Sequence, residues 1–106
     1  MMEQPNLKYI KELSGDDIEF EQKFISILKD EFPMEIAAYK EHIDSKETNE
    51  AADVVHKLKH KFNILSMEET YRFAVQFEEQ LRTGKTDMDS DFRITLTRIN
   101  DFLKTI

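Results

Sequence analysis

The stretch His56-Lys57-Leu58-Lys59-His60-Lys61 packs three lysines and two histidines into six residues of an acidic chain. An imidazole open to water is largely neutral at neutral pH, and the neutral ring carries a nucleophilic nitrogen. A cation one helical turn away offsets the charge of a phosphoryl group arriving on that nitrogen. On a helix, His56, Lys59, His60 and Asn63 fall at i, i+3, i+4 and i+7 and share one ridge. Ala51, Val55, Leu58, Phe62 and Leu65 mark the opposite, core side. The pattern reads as a nucleophile, His56, with no carboxylate to hold it, beside an anion-steadying cation, Lys59. Lys57 and Lys61 leave the ridge and read as solubilising flanks. Ala52, a turn before His56, is expected to leave the imidazole open to approach.

Other readings compete with this one. Such His-x-x-Lys pairs are common on helix surfaces, and an ordinary surface histidine has the same spacing. His56 and His60, at i and i+4, could face one metal ion, but nearby sequence offers no third ligand and the lysines repel a cation, so no metal site is expected. His42 reads as a cation placed at a helix C-terminus, where the dipole favours it. Glu78-Glu79 reads as a solvated face, because adjacent helix positions do not converge.

The elements that must position the ridge are helices, with no convincing period-2 strand. A short helix is expected from Pro5, near its first position, to Leu13, with Leu7, Ile10 and Leu13 as its stripe. Ser14-Gly15-Asp16-Asp17 breaks it and starts a second helix, from about Asp16 to His42. There Phe20, Phe24, Ile27, Leu28, Phe32, Ile36, Tyr39 and Ile43 make the buried stripe, and the stripe stays in phase across Pro33, which favours a kink over a stop. A third helix is expected over Thr48–Leu65. Ser66 and Glu69 read as a capping box opening a fourth, from Met67 to Thr83, with Tyr71, Ala74, Val75, Phe77 and Leu81 inward and Gly84 as its stop. Asp87 or Ser90 caps a fifth helix, reaching Lys104, with Phe92, Leu96, Ile99 and Leu103 on one face. Amphipathic helices joined by short turns are satisfied by an all-α, antiparallel four-helix bundle with a short extra N-terminal helix.

Composition narrows the function classes. The 106 residues suit a single domain over 1–106, and the 40% hydrophobic content is enough for a core without staples. The absence of cysteine excludes thiolate metal sites, disulfides and cysteine nucleophiles. The net charge is −7, and residues 1–55 carry six lysines against fourteen acids, so nucleic acid is an unexpected partner. No apolar run is long enough to span a membrane, and the N-terminal residues lack a signal-peptide core, so a cytoplasmic protein is expected.

His56-Lys57-Leu58-Lys59, followed by Asn63-Ile64-Leu65, resembles the signature of histidine phosphotransfer (HPt) domains of multistep two-component phosphorelays. Leu13-Ser14-Gly15-Asp16, Glu31-Phe32-Pro33, and Phe77-Glu78 ahead of Thr83-Gly84-Lys85 are similar to family features in the same order. The resemblance implies that His56 accepts a phosphoryl group from a receiver-domain aspartate through Nε2 and returns it to another, with Lys59 steadying the phosphoryl oxygens. It implies a polar fourth-helix side chain near the histidine, often Gln, for which Glu78, Gln80 and Gln76 are candidates here. Partners would be response-regulator receiver domains, including one within a hybrid sensor histidine kinase. The Mg²⁺ used in transfer would belong to the receiver, leaving this chain a monomeric phosphocarrier without a cofactor and not an enzyme. The alternative is an interaction module that binds receivers without being phosphorylated. Two positions depart from the pattern: His60 stands where the family has a glycine beside the phosphohistidine, and Ser66 stands where a glycine usually ends the helix.

Overall fold

The computed structural model describes residues 3–106; Met1 and Met2 lie outside the described residues. The chain forms α1 (Lys8–Ser14), α2 (Ile18–Asp44), α3 (Thr48–Ile64), α4 (Glu68–Arg82) and α5 (Asp89–Leu103), with no strand among the described residues. Cross-helix partners fix the directions. Asp53 and His56 meet Arg82 and Glu78, so α3 and α4 run antiparallel. Only a short turn separates the end of α2 at Asp44 from the start of α3 at Thr48, and Lys61 near the far end of α3 meets Glu31 and Glu35, so α2 opposes α3. Tyr39, late in α2, meets Asp89 at the start of α5, while Lys29, earlier in α2, reaches the Ile106 carbonyl just past the end of α5, so α5 opposes α2 as well. The four long helices thus alternate in direction as a bundle, as the sequence predicts.

Phe92 of α5 sits at the centre of the core with no exposed surface. Its ring meets Tyr39 at 5.0 Å, Phe77 at 5.1 Å and Phe62 at 5.9 Å between centroids, all tilted edge to face, and stacks on Phe73 at 6.4 Å. Every long helix therefore contributes to a single aromatic cluster, α4 twice, mostly in the tilted arrangement that aromatic quadrupoles favour.

The expected stripe of α2 is partly wrong. Ile25, Leu28, Phe32 and Tyr39 are buried, whereas Phe20 and Ile27 are 43% and 47% exposed. At 27 residues α2 is about 40 Å long, well beyond the about 26 Å of α3. Short α1 and the C-terminal Ile106 help to cover its N-terminal half, but Phe20 and Ile27 stay outside what these neighbours reach. The helix continues through Pro33 without stopping.

Three helices end in the same way. Lys46, Ser66 and Gly84 adopt left-handed backbone (φ 61°, 64° and 86°), and the next N–H reaches back five residues, from Glu47 to His42, Met67 to Phe62 and Lys85 to Gln80. This is the Schellman ending, in which the left-handed residue is most easily glycine. Gly84 fits that rule and stops α4 as expected. Ser66 does not act as the expected N-cap, because its conformation is committed to closing α3. Met67 takes the N-cap position without a side-chain bond, and the carboxylate of Glu3 caps α4 instead, accepting the N–H groups of Glu69 at 3.1 Å and Thr70 at 2.9 Å. The segment before α1 is therefore tied down rather than helical. Pro5 is buried, the Asn6 amide donates to the Leu65 carbonyl at 3.0 Å, and α1 starts only at Lys8, leaving Leu13 exposed. Neither Asp87 nor Ser90 caps α5; Met88 precedes it without a side-chain bond.

Two stability outcomes follow from these placements. Phe92→Ala should cost about 3–5 kcal/mol in denaturant unfolding, whereas Phe20→Ala should cost under about 1 kcal/mol, because only the first opens a closed cluster. Ser66→Gly should stabilise the protein by about 1 kcal/mol, since glycine removes the left-handed penalty. A destabilised glycine variant would mean that the serine side chain contributes something its geometry does not reveal.

Candidate functional site

The seam between α3 and α4 builds the site. Ala51, Ala52 and Ala74 are fully buried, which keeps the facing surfaces of neighbouring helices small. Ala52 is therefore part of the packed seam and does not provide the open space beside the imidazole that the sequence suggested. Two turns of α3 carry His56, Lys59 and His60 past this seam, and α4 brings Glu78 and Arg82 to meet them.

Glu78 is the centre of the arrangement. His56 Nδ1 lies 3.3 and 3.2 Å from its two oxygens, and Lys59 Nζ donates to Oε1 at 2.9 Å. Arg82 approaches Oε2 at 3.6 Å and is itself held by Asp53 at 2.8 Å and by the Asn49 carbonyl at 3.1 Å. The His56 side chain remains 53% exposed, while Glu78 and Lys59 are 16% and 13% exposed. His60 packs edge-on to His56, with ring centroids 5.2 Å apart.

This geometry corrects the expectation of an imidazole without a carboxylate partner. Glu78 is no solvated face but the ring's hydrogen-bond acceptor, and Gln76 and Gln80 line a separate groove with Glu79, Thr83 and Lys85. A carboxylate only accepts, so this contact is a hydrogen bond when Nδ1 carries the ring's proton, the tautomer that leaves the lone pair on Nε2. Burial would push the Glu78 carboxyl up, but the hydrogen bond and charge of Lys59, followed by His56, outweigh it and hold the group below the usual carboxylate range.

The remaining candidates separate. Asn63 lies two turns further along α3 and lines a cleft with Glu3, Tyr9 and Glu12, away from Glu78. Lys57 is exposed as expected. Lys61 is not a solubilising flank: it is 12% exposed and bridges Glu31 at 3.1 Å and Glu35 at 2.9 Å on α2. Burial would pull the Lys61 ammonium down, but Glu35 and Glu31 together push it up. His42 lies in the last turn of α2, which runs on to Asp44, and meets Glu47 at 2.8 Å. Arg82 and Asp53 join the site without having been singled out in the sequence. Their signal was positional, since Arg82 follows Glu78 by four residues and Asp53 precedes His56 by three, both same-face spacings. No cluster of three or more His, Cys, Asp or Glu able to hold a metal ion occurs among the described residues, and no helix there is long and apolar enough to cross a membrane.

A carboxyl held low by its fold contributes stability that is present above the unfolded value and lost as pH falls through the folded one. The stability gap between the parent and Glu78→Gln, measured by denaturant unfolding, should therefore narrow below about pH 4. A gap that stays constant from pH 7 to pH 3 would mean that the Lys59 and His56 contacts add nothing to folding.

The family model for the Hpt domain matches residues 23–104, spanning α2 through α5 and including every member of the His56 cluster. No curated protein and no solved structure matches the chain. The match covers well over half the sequence and all of the four long helices except the first turn of α2, and the chain belongs to the Hpt domain family.

Proposed function

We propose that this protein carries a phosphoryl group between receiver-domain aspartates through Nε2 of His56. The observation that carries this reading is the half-exposed His56 ring with Nδ1 engaged by Glu78. The Nε2 lone pair forms a bond to phosphorus as the acyl-phosphate P–O bond of the donor breaks, and the electron pair leaves with the donor's carboxylate. The return step to a second aspartate reverses these changes. Lys59, on a flexible four-carbon stem next to the ring, supplies positive charge for the phosphoryl oxygens. The receiver supplies Mg²⁺ and its acidic pocket, so the protein acts as a phosphocarrier and not as an enzyme. It is proposed to work as a cytoplasmic monomer.

The receiver would dock over the His56 ridge and the adjoining α2–α3 surface, where exposed Met34 lies beside Ala38, Val54 and Lys57. Lys61 is consumed by its α2 carboxylates, so Lys57 is left to steer an acidic receiver, an effect on association rate. One observation favours the rival reading of a binding module that is never phosphorylated. His60 stands edge-on to the ring, 5.2 Å between centroids, at the position where the family has a glycine that leaves space beside the phosphohistidine.

Incubation with a phosphorylated receiver should place acid-labile, alkali-stable phosphate on the protein. His56→Gln should abolish this, and Lys59→Ala should slow it about tenfold or more, in line with loss of an electrostatic donor. Added salt should slow transfer in the parent and less so in Lys57→Ala. Labelling of His56→Gln at the full rate would overturn the site. No labelling of the parent, with receiver binding intact, would establish the module reading, and recovery of labelling in His60→Gly would trace it to crowding.

A further inference from the structure

We propose that Glu78 is a positioning residue that keeps the proton on Nδ1 of His56 throughout the phosphoryl cycle, making the phosphohistidine a short-lived carrier rather than a store. The inference rests on His56 being the phosphoryl acceptor, and it concerns what happens after the bond has formed.

A ring nitrogen can meet its neighbour in two ways. An amide such as glutamine can accept from a protonated Nδ1 through its oxygen or donate to a bare Nδ1 through its NH₂. A carboxylate can only accept. The two Glu78 oxygens lie 3.2 and 3.3 Å from Nδ1, so this contact is favourable only while Nδ1 bears a proton. The carboxylate is kept ionised by the groups around it. Lys59 on α3 donates to it at 2.9 Å, and Arg82 on α4 stands 3.6 Å away, anchored by Asp53. With His60, these are the charged and titratable groups recorded against the ring on α3 and α4.

That proton decides the leaving group. When Nε2 bears phosphorus and Nδ1 bears a proton, breaking the N–P bond returns the electron pair to Nε2 and releases a neutral imidazole. When Nδ1 is bare, the same cleavage must expel an imidazolate, a far poorer leaving group. A carboxylate that requires the protonated ring therefore holds the phosphohistidine in its reactive form. The same contact offsets the positive charge that builds on the ring as Nε2 attacks, so it assists loading as well as unloading. The benefit is fast relay in both directions, and the cost is leakage to water.

The test needs no receiver. The full chain is loaded with potassium phosphoramidate, the reagent is removed, and loss of the phosphohistidine signal at pH 8 is followed by ³¹P NMR. The parent should lose phosphate about tenfold faster than Glu78→Gln, and Glu78→Asp, which keeps an acceptor-only group, should stay close to the parent. Nitrogen-15 spectra of the ring should show Nδ1 protonated in the parent before and after loading, and a mixture of ring forms in Glu78→Gln. Equal lifetimes in the parent and Glu78→Gln overturn the proposal. So does a parent ring with its neutral proton on Nε2, a result that stands even where Glu78→Gln fails to fold. A parent that takes no label on His56 overturns the carrier function instead, and the spectra of the unloaded ring then still decide whether Glu78 sets the tautomer.

Discussion

One carboxylate organises this molecule's surface chemistry. Glu78 accepts from His56 and Lys59 on the facing helix and has Arg82 within reach on its own. A carboxylate with only 16% of its surface exposed must be offset by donors or be protonated. Here the offsetting donors are the two motif side chains, so the group that tolerates partial burial is also the group that meets the imidazole of His56. The electrostatic requirement of α4 and the chemical requirement of α3 are met by one set of contacts.

The resting charge of the cluster follows from this. Lys59 and Arg82 are balanced by Glu78 and Asp53, so the patch beside the ring is nearly neutral and presents no free ammonium. In the proposed transfer, Lys59 would have to divide its charge between Glu78 and the phosphoryl oxygens. Weakening the Lys59–Glu78 contact exposes more negative charge on the carboxylate and strengthens its hold on the Nδ1 proton. In the proposed relay, this arrangement would couple the phosphoryl oxygens on one side of the ring to the proton on the other, through a lysine and a glutamate 2.9 Å apart.

The bundle was legible in the sequence because its signal is periodicity. Val55, Leu58, Phe62, Phe92, Leu96 and Ile99 sit at core phase and are buried. The motif residues were legible for a similar reason, since His56 and Lys59 share a helix face. What stayed hidden lies between elements or depends on backbone shape. Glu78 read as a solvated face because nothing within α4 reveals that α3 presents two donors to it. Lys61 read as a flank because Glu31 and Glu35 approach from another helix. Ser66 read as an N-cap by its residue type, whereas the left-handed close of α3 claims it and a carboxylate some sixty residues away, Glu3, does the capping. The stripe on α2 failed at Phe20 and Ile27 because periodicity gives a helix its apolar face and does not say how far along that face the neighbours extend.

The accuracy of the site depends on how α3 is held. Its Lys61 is fastened to α2 through Glu31 and Glu35, and a turn or so earlier its His56 and Lys59 are fastened to α4 through Glu78. These ties lie on different sides of the helix, so a rotation of α3 that shortened one would stretch the other. The far end of the bundle is closed separately. There burial and the Asp89 hydrogen bond keep the Tyr39 hydroxyl protonated, and Arg93 links Asp89 to Asp44. With α2 fixed to α5 at that end and to α3 near the middle, α4 needs only the seam and Glu78 to define its position. A reactive imidazole can then stand half in solvent and still present one particular nitrogen, because the orientation of its ring is set by a partner on a helix that has no freedom to turn.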